Sequence, residues 1–162
     1  IKDDIIFFKQ KMFYYKFNLC SQSIDWFGTR ACKKKKLLSP QWLRNIKAKK
    51  YPIWRLDTFF SEKKYIKLKI VDDGGWHFSY INTAEEIEKK LKNYAHYREY
   101  QLTPLGIENI KERIINKTSV YNLHTDMRKS KFNSGQKLIK VNLDTLPTYL
   151  KVYKTKYINW LE

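Results

Sequence analysis

With 162 residues and a mass of 19.7 kDa, the chain has the length of one domain with one sizeable core, expected to run from residue 1 to 162. Apolar content of 43%, including 16% aromatics, excludes a disordered chain in spite of 30% charged residues. Thirty-three Lys and Arg against sixteen Asp and Glu leave a formal charge of +17, which fits a polyanion partner such as nucleic acid.

The lysines, however, are spread along the whole chain together with isoleucine, tyrosine and asparagine. A chain of simply biased composition looks the same, so nucleic acid is not the favoured partner. Only Lys33–Lys36 and the Lys47, Lys49, Lys50 cluster are concentrated. Two cysteines, Cys20 and Cys32, exclude a disulfide framework and fit a reducing compartment, the cytoplasm being the expected location. No apolar run approaches the roughly 18 residues that span a bilayer. The opening Ile1-Lys2-Asp3-Asp4 is a poor start for a secretory leader, and the absence of an initiating methionine suggests a fragment or a processed chain.

Taken in chain order, Lys11 to Leu19 reads as a strand rich in Phe and Tyr, apolar on both faces and therefore buried in a sheet. Lys33 to Lys36 is a solvated loop or helix approach. Ser39 as N-cap and Pro40 at the first helical position open a helix expected to run to about Lys49, short of Pro52. Tyr65 to Val71 alternates cleanly as a half-exposed strand. Thr83 and Glu86 form a capping box, and the helix behind it carries Ile87, Leu91 and Tyr94 on one face and lysines on the other. Thr103-Pro104 starts another helix with Ile107, Ile110 and Ile114 as its inner stripe. Residues 120–136 are polar and patternless. Leu138 to Val141 is a short strand, and Leu146-Pro147 opens a terminal helix with Tyr149, Leu150 and Tyr153 inward. This alternation predicts an α/β or α+β fold.

The most informative stretch is Asp72-Asp73-Gly74-Gly75-Trp76-His77-Phe78-Ser79-Tyr80. A solvated loop does not carry Trp-His-Phe, and a core strand does not carry Gly-Gly. Two glycines allow positive φ and close approach of a backbone or ligand, with two carboxylates and an imidazole alongside.

Gly75 to Tyr80, followed by Glu86-Ile87, Lys90-Leu91 and His96, resembles the signature of glycosyltransferases related to β-1,4-mannosyl-glycoprotein N-acetylglucosaminyltransferase, glycosyltransferase family 17. Three further segments are similar to that family in the same order: Phe13 to Leu19, Trp26-Phe27-Gly28-Thr29, and Leu146-Pro147 with Tyr149-Leu150. The resemblance implies a GT-A nucleotide-sugar fold, a mixed sheet flanked by helices, of which this chain would be the C-terminal, acceptor-side portion. It implies a UDP-sugar donor, a glycan acceptor, transfer of N-acetylglucosamine with inversion, and a divalent cation, Mn²⁺ or Mg²⁺. The family's acidic D-x-D-E-type segment is not matched by Asp3-Asp4, which suggests that the nucleotide-binding half is missing.

On this reading His77 contacts the metal or the diphosphate, since a neutral imidazole ligates Mn²⁺. Asp73 is the base that takes the proton of the attacking hydroxyl. Trp76 is a platform for a sugar ring and Ser79 a hydroxyl contact, while Phe78 belongs to the core. Trp26, Gly28 and Thr29 form a second substrate-binding cluster, with Arg30 as a bidentate phosphate clamp. His96 and Glu99, three residues apart, depart from the family spacing, and His124 with Asp126 reads as surface. The plainer alternatives are a basic nucleic-acid-binding module and a non-catalytic glycan-binding relative.

Overall fold

A computed structural model describes residues 5–94, 97–123 and 130–162 as a mixed α/β chain. The strands among the described residues are β1 (Ile5–Phe8), β2 (Gln10–Tyr14), β3 (Leu19–Trp26), β4 (Arg30–Cys32), β5 (Lys69–Val71), β6 (Trp76–Ser79) and β7 (Leu138–Lys140). The helices are α1 (Pro40–Asn45), α2 (Ala84–Asn93), α3 (Tyr97–Leu102), α4 (Gly106–Ile115) and α5 (Thr148–Val152). They form two compact units, each assembled from separated segments. The first takes the chain up to Gln10 and Asp25–Gly75, the second Lys11–Ile24 and Trp76–Glu162.

The first unit holds a three-stranded sheet of order β4-β1-β5. β1 pairs antiparallel with β4, Ile5 opposite Cys32, and parallel with β5, Phe8 opposite Val71. Ile5, Phe7, Ile46 and Leu68 are its buried core, with Trp42, Leu43 and Ile70 packed against them. The expected start of α1 is found: the Ser39 hydroxyl accepts from the Trp42 amide at 3.0 Å and Pro40 occupies the first turn. The expected run to Lys49 is not. Ile46 takes an extended conformation (φ −60°, ψ 135°) that carries its side chain into the core, and the helix stops at Asn45. Of the strand expected from Tyr65 to Val71, only Lys69–Val71 is paired, against Ile6 to Phe8 of β1.

The second unit holds a sheet of order β6-β2-β3-β7. β2 and β6 run parallel, Lys11 opposite Trp76 through Tyr14 opposite Ser79; β3 and β7 run antiparallel, Leu19 opposite Lys140. The strand expected from Lys11 to Leu19 is therefore two strands. Tyr15 enters the left-handed region (φ 62°), its ring is buried, and its hydroxyl donates to the Thr118 carbonyl at 2.7 Å. That distant hydrogen bond holds a turn that has neither glycine nor proline to announce it. On one face of the sheet Phe13 and Cys20 pack with Leu146, Phe78 and Leu150. On the other, following the alternation of strand side chains, Tyr14 stacks on Tyr80 (6.1 Å, 8°) and meets Tyr121 edge-on.

α2 begins at the expected capping box, Thr83 and Glu86 bonding reciprocally, and buries Ile87 and Leu91. α4 starts at Gly106 rather than at Thr103-Pro104, and α3 precedes it unannounced. Of the three isoleucines expected inward, only Ile110 is fully buried; Ile114 is half-buried and Ile107 exposed. The described residues of 120–136 form no helix or strand, as expected. They are nonetheless packed: Val120 and Phe132 are buried, and Arg113 donates to the carbonyls of Ser119, Val120 and Phe132. At the C-terminal end Leu150 packs inward, but Tyr149 and Tyr153 are exposed and lie against each other with ring centres 4.7 Å apart and planes tilted by 48°. The helix is one short turn followed by a 3₁₀ stretch, Lys154–Trp160, so the inward stripe expected of a longer helix does not form.

Candidate functional site

In the first unit the C-terminal end of β1 gathers two of the segments singled out in the sequence. The Phe8 amide donates to the Thr29 carbonyl (3.1 Å), the Lys9 amide to Val71 (3.0 Å), and the Gly74 amide back to Lys9 (2.7 Å). The Lys9 ammonium lies 2.9 Å from Asp25 and 4.0 Å from Asp72. Its pKa is raised, first by the hydrogen bond and charge of Asp25 and then by Asp72 and Asp73. A strand end thus carries one cation among three carboxylates, in a place where α/β proteins commonly collect reactive groups.

The turn Asp72–Gly75 has a determined shape. Gly74 is pressed against β1: a Cβ there would sit 2.7 Å from the Phe8 Cβ. Gly75 has φ +124° and Asp73 φ 49°, so the chain passes through the left-handed region twice in three residues. Asp72 and Asp73 project into solvent. The Trp26 indole folds back over Gly28, where an added Cβ would fall 2.2 Å from Nε1. Thr29 is exposed.

Arg30 is turned to another task. Its Nε donates to the Phe27 carbonyl (3.0 Å), and Nη1 donates to Leu43 (2.9 Å), Ile46 (3.0 Å) and Arg44. Its guanidinium lies 4.6 Å from the centre of the Phe7 ring. Burial and then Arg44 lower its pKa from the ordinary value. The carbonyls of Leu43, Arg44 and Ile46 lie at the end of α1, where helical acceptors lose their intrahelical partners, so Arg30 caps that helix.

In the second unit β6 is the outermost strand of its sheet. Trp76 is 41% exposed, and its indole nitrogen donates to the Thr145 carbonyl at 2.7 Å. Phe78 packs on Phe13 and Phe17 with ring centres 5.2 and 5.3 Å apart, a core residue as expected. His77 and Ser79 alternate to the other face. His77 is half-buried opposite Met12, and Ser79 is buried opposite Tyr14. Burial and then the Lys90 cation push the imidazole below its ordinary pKa, so it is neutral at pH 7. Lys90 itself lies 4.6 Å over the Tyr80 ring.

The structure therefore brings Asp73 and Thr29 to one strand end, while Trp76 and His77 point to opposite faces of a strand and cannot grip one ligand between them. Sequence reasoning missed Lys9 and Asp25, and it gave Lys90 no role beyond its place in the family-like segment. Asp25, next to Trp26, was the available signal. His96, His124, Asp126, Asp3 and Asp4 lie outside the described residues. Among the described residues no group of three or more His, Cys, Asp or Glu is placed to hold a metal ion, and the residue whose charge acts on His77 is a cation.

The chain matches no protein-family model, no curated protein and no solved structure.

Proposed function

We propose that this chain is the acceptor-side portion of a GT-A-type glycosyltransferase that moves N-acetylglucosamine from UDP to a glycan hydroxyl with inversion. One observation supports the reading above others: the segments that resemble the transferase family meet one another in space. In the second unit the Phe13-Tyr14 strand pairs residue by residue with Trp76 to Ser79, and Leu146 and Leu150 close over Phe13 and Phe78. In the first unit Thr29 and Gly74 bind adjacent backbone groups at the end of β1. Segments scattered over the chain by composition alone have no reason to do so.

In the chemistry proposed, Asp73 accepts the proton of the acceptor hydroxyl as its oxygen bonds to the anomeric carbon. The carbon–oxygen bond to the diphosphate breaks and UDP leaves with the electron pair. Lys9 holds the acidic turn in place by its contacts to Asp25 and Asp72. Within the second unit, His77, neutral, offers a hydrogen bond and Lys90 a positive charge to a diphosphate.

The test is calorimetry with UDP, with and without Mn²⁺, on the protein and on His77→Ala and Asp73→Asn, paired with a transfer assay. His77→Ala should weaken UDP binding, whereas Asp73→Asn should keep it and lower transfer by roughly 10² to 10⁴. Binding unchanged in His77→Ala removes that residue from the site, and no UDP binding by the parent protein overturns the reading. RNA binding that falls with salt, without UDP binding, would favour the basic nucleic-acid module instead.

A further inference from the structure

Residues 33–67 of the first unit carry twelve Lys and Arg against two acids, Asp57 and Glu62. Asp57 is already neutralised, bound by Arg55 at 2.7 Å and Lys64 at 2.5 Å. The same stretch turns its apolar residues outward. Leu38, Ile53, Trp54, Leu56, Phe59 and Phe60 are all exposed, Trp54 by 82% and Phe60 by 91%. Single exposed apolar side chains are ordinary, but six in one short stretch are not.

Local polarity is inverted here rather than merely loose. In the 3₁₀ turn Leu56–Thr58 the buried residue is Thr58, its hydroxyl donating to the Arg55 carbonyl at 2.6 Å. Leu56 and Phe59, on either side, face solvent. Beside them lies an open cleft of about 880 Å³, walled by Leu38, Trp42, Ile53, Phe59 and Phe60 and edged by Lys36, Lys64 and Lys67. None of the residues assigned to sugar transfer lines it.

Charge and shape decide the occupant. A second copy would set ten net positive charges against ten, a repulsive pairing. A nucleic acid would satisfy the lysines but leave Leu38, Ile53 and Leu56 without a base to stack on. An anionic bilayer answers both features. Aromatic and aliphatic tips sink to the boundary between headgroups and acyl chains while lysines extend to phosphate and carboxylate headgroups. No described helix is long and apolar enough to cross a membrane.

We propose that the face built from Leu38 and Ile53 to Phe60 docks on an anionic phospholipid bilayer. Co-sedimentation with phosphatidylcholine vesicles, with and without phosphatidylserine, reads this directly, together with the blue shift of tryptophan emission. The protein should bind the phosphatidylserine vesicles, release from them as salt rises, and ignore pure phosphatidylcholine. A Trp54→Ala, Phe60→Ala pair and a Lys49→Glu, Lys50→Glu pair should each weaken binding about tenfold or more. Circular dichroism should be unchanged in both, since all four side chains are exposed. Absence of binding at low salt, or binding indifferent to the Trp54 and Phe60 pair, overturns the proposal. So does a lipid-free dimer, or an RNA affinity, that this aromatic pair abolishes while vesicle binding stays intact.

Discussion

Arg30 offers the sharpest separation between a structural and a ligand-binding role. Arg30→Ala removes donors from the carbonyls of Phe27, Leu43, Arg44 and Ile46 and the cation from the Phe7 ring. Hydrogen bonds to a charged group contribute about 1.5–3 kcal/mol each before compensation. Water can replace the guanidinium at the exposed Arg44 carbonyl, and the variant no longer desolvates a cation, both of which reduce the loss. Leu43, Ile46 and Phe27 lie deeper, and the ring contact adds about 0.5–1 kcal/mol. A net loss of about 3 kcal/mol follows. At a urea dependence of about 2 kcal/mol per molar, the midpoint falls by about 1.5 M. Arg30→Lys, with one nitrogen in place of a planar fork, should recover less than half of that. Urea unfolding followed by circular dichroism, alongside UDP calorimetry on each variant, is the assay. A phosphate clamp predicts the reverse pattern, with stability within about 0.5 kcal/mol of the parent and UDP binding lost. That result would refute the capping role.

Gly74→Ala should destabilise by about 1–3 kcal/mol, because its Cβ would meet the Phe8 Cβ at 2.7 Å and the Lys9 amide at 3.0 Å, backbone that cannot yield cheaply. Gly75→Ala, with only Gln10 Nε2 at 3.6 Å but φ at +124°, should cost about 1–3 kcal/mol through backbone strain alone; thermal melts of the two variants check both. The lowered pKa of His77 means its contribution to stability is present above the unfolded value of about 6.5 and is lost as pH falls through the folded value. Lys90→Gln should raise the His77 pKa in an NMR titration and soften that acid limb. The tyrosines run the other way: burial and Glu88 push Tyr100 up to about 12, and burial raises Tyr14, Tyr15 and Tyr80 as well. Stability present below about pH 10 is then lost as pH rises, and absorbance at alkaline pH should show these hydroxyls ionising only as the protein unfolds.

What could be read from the sequence was local. Ser39-Pro40 and Thr83 with Glu86 declare helix starts through hydrogen bonds closed within three residues, and both are where they were expected. The break after Tyr14 was invisible because the turn at Tyr15 is held by Thr118, more than a hundred residues away. Of Tyr65 to Val71 only Lys69–Val71 found a partner, because pairing length depends on the neighbouring strand as well as on local alternation. The stripe on the terminal segment failed for a similar reason, since a single helical turn has no continuous face. At the candidate site, the strand-end carboxylates and the glycine turn were legible. Arg30 was not, because which carbonyls a guanidinium reaches depends on where α1 ends.

β1 sits in the middle of its sheet, flanked by β4 from some twenty-five residues later and β5 from some sixty later in the chain. During synthesis one edge of this strand can be met once Cys32 has emerged, but the other must wait until the ribosome has delivered Val71. No single cut can separate the two units, since their segments alternate along the chain. Dissecting this protein into halves at a clone boundary would hand one half a sheet without its centre.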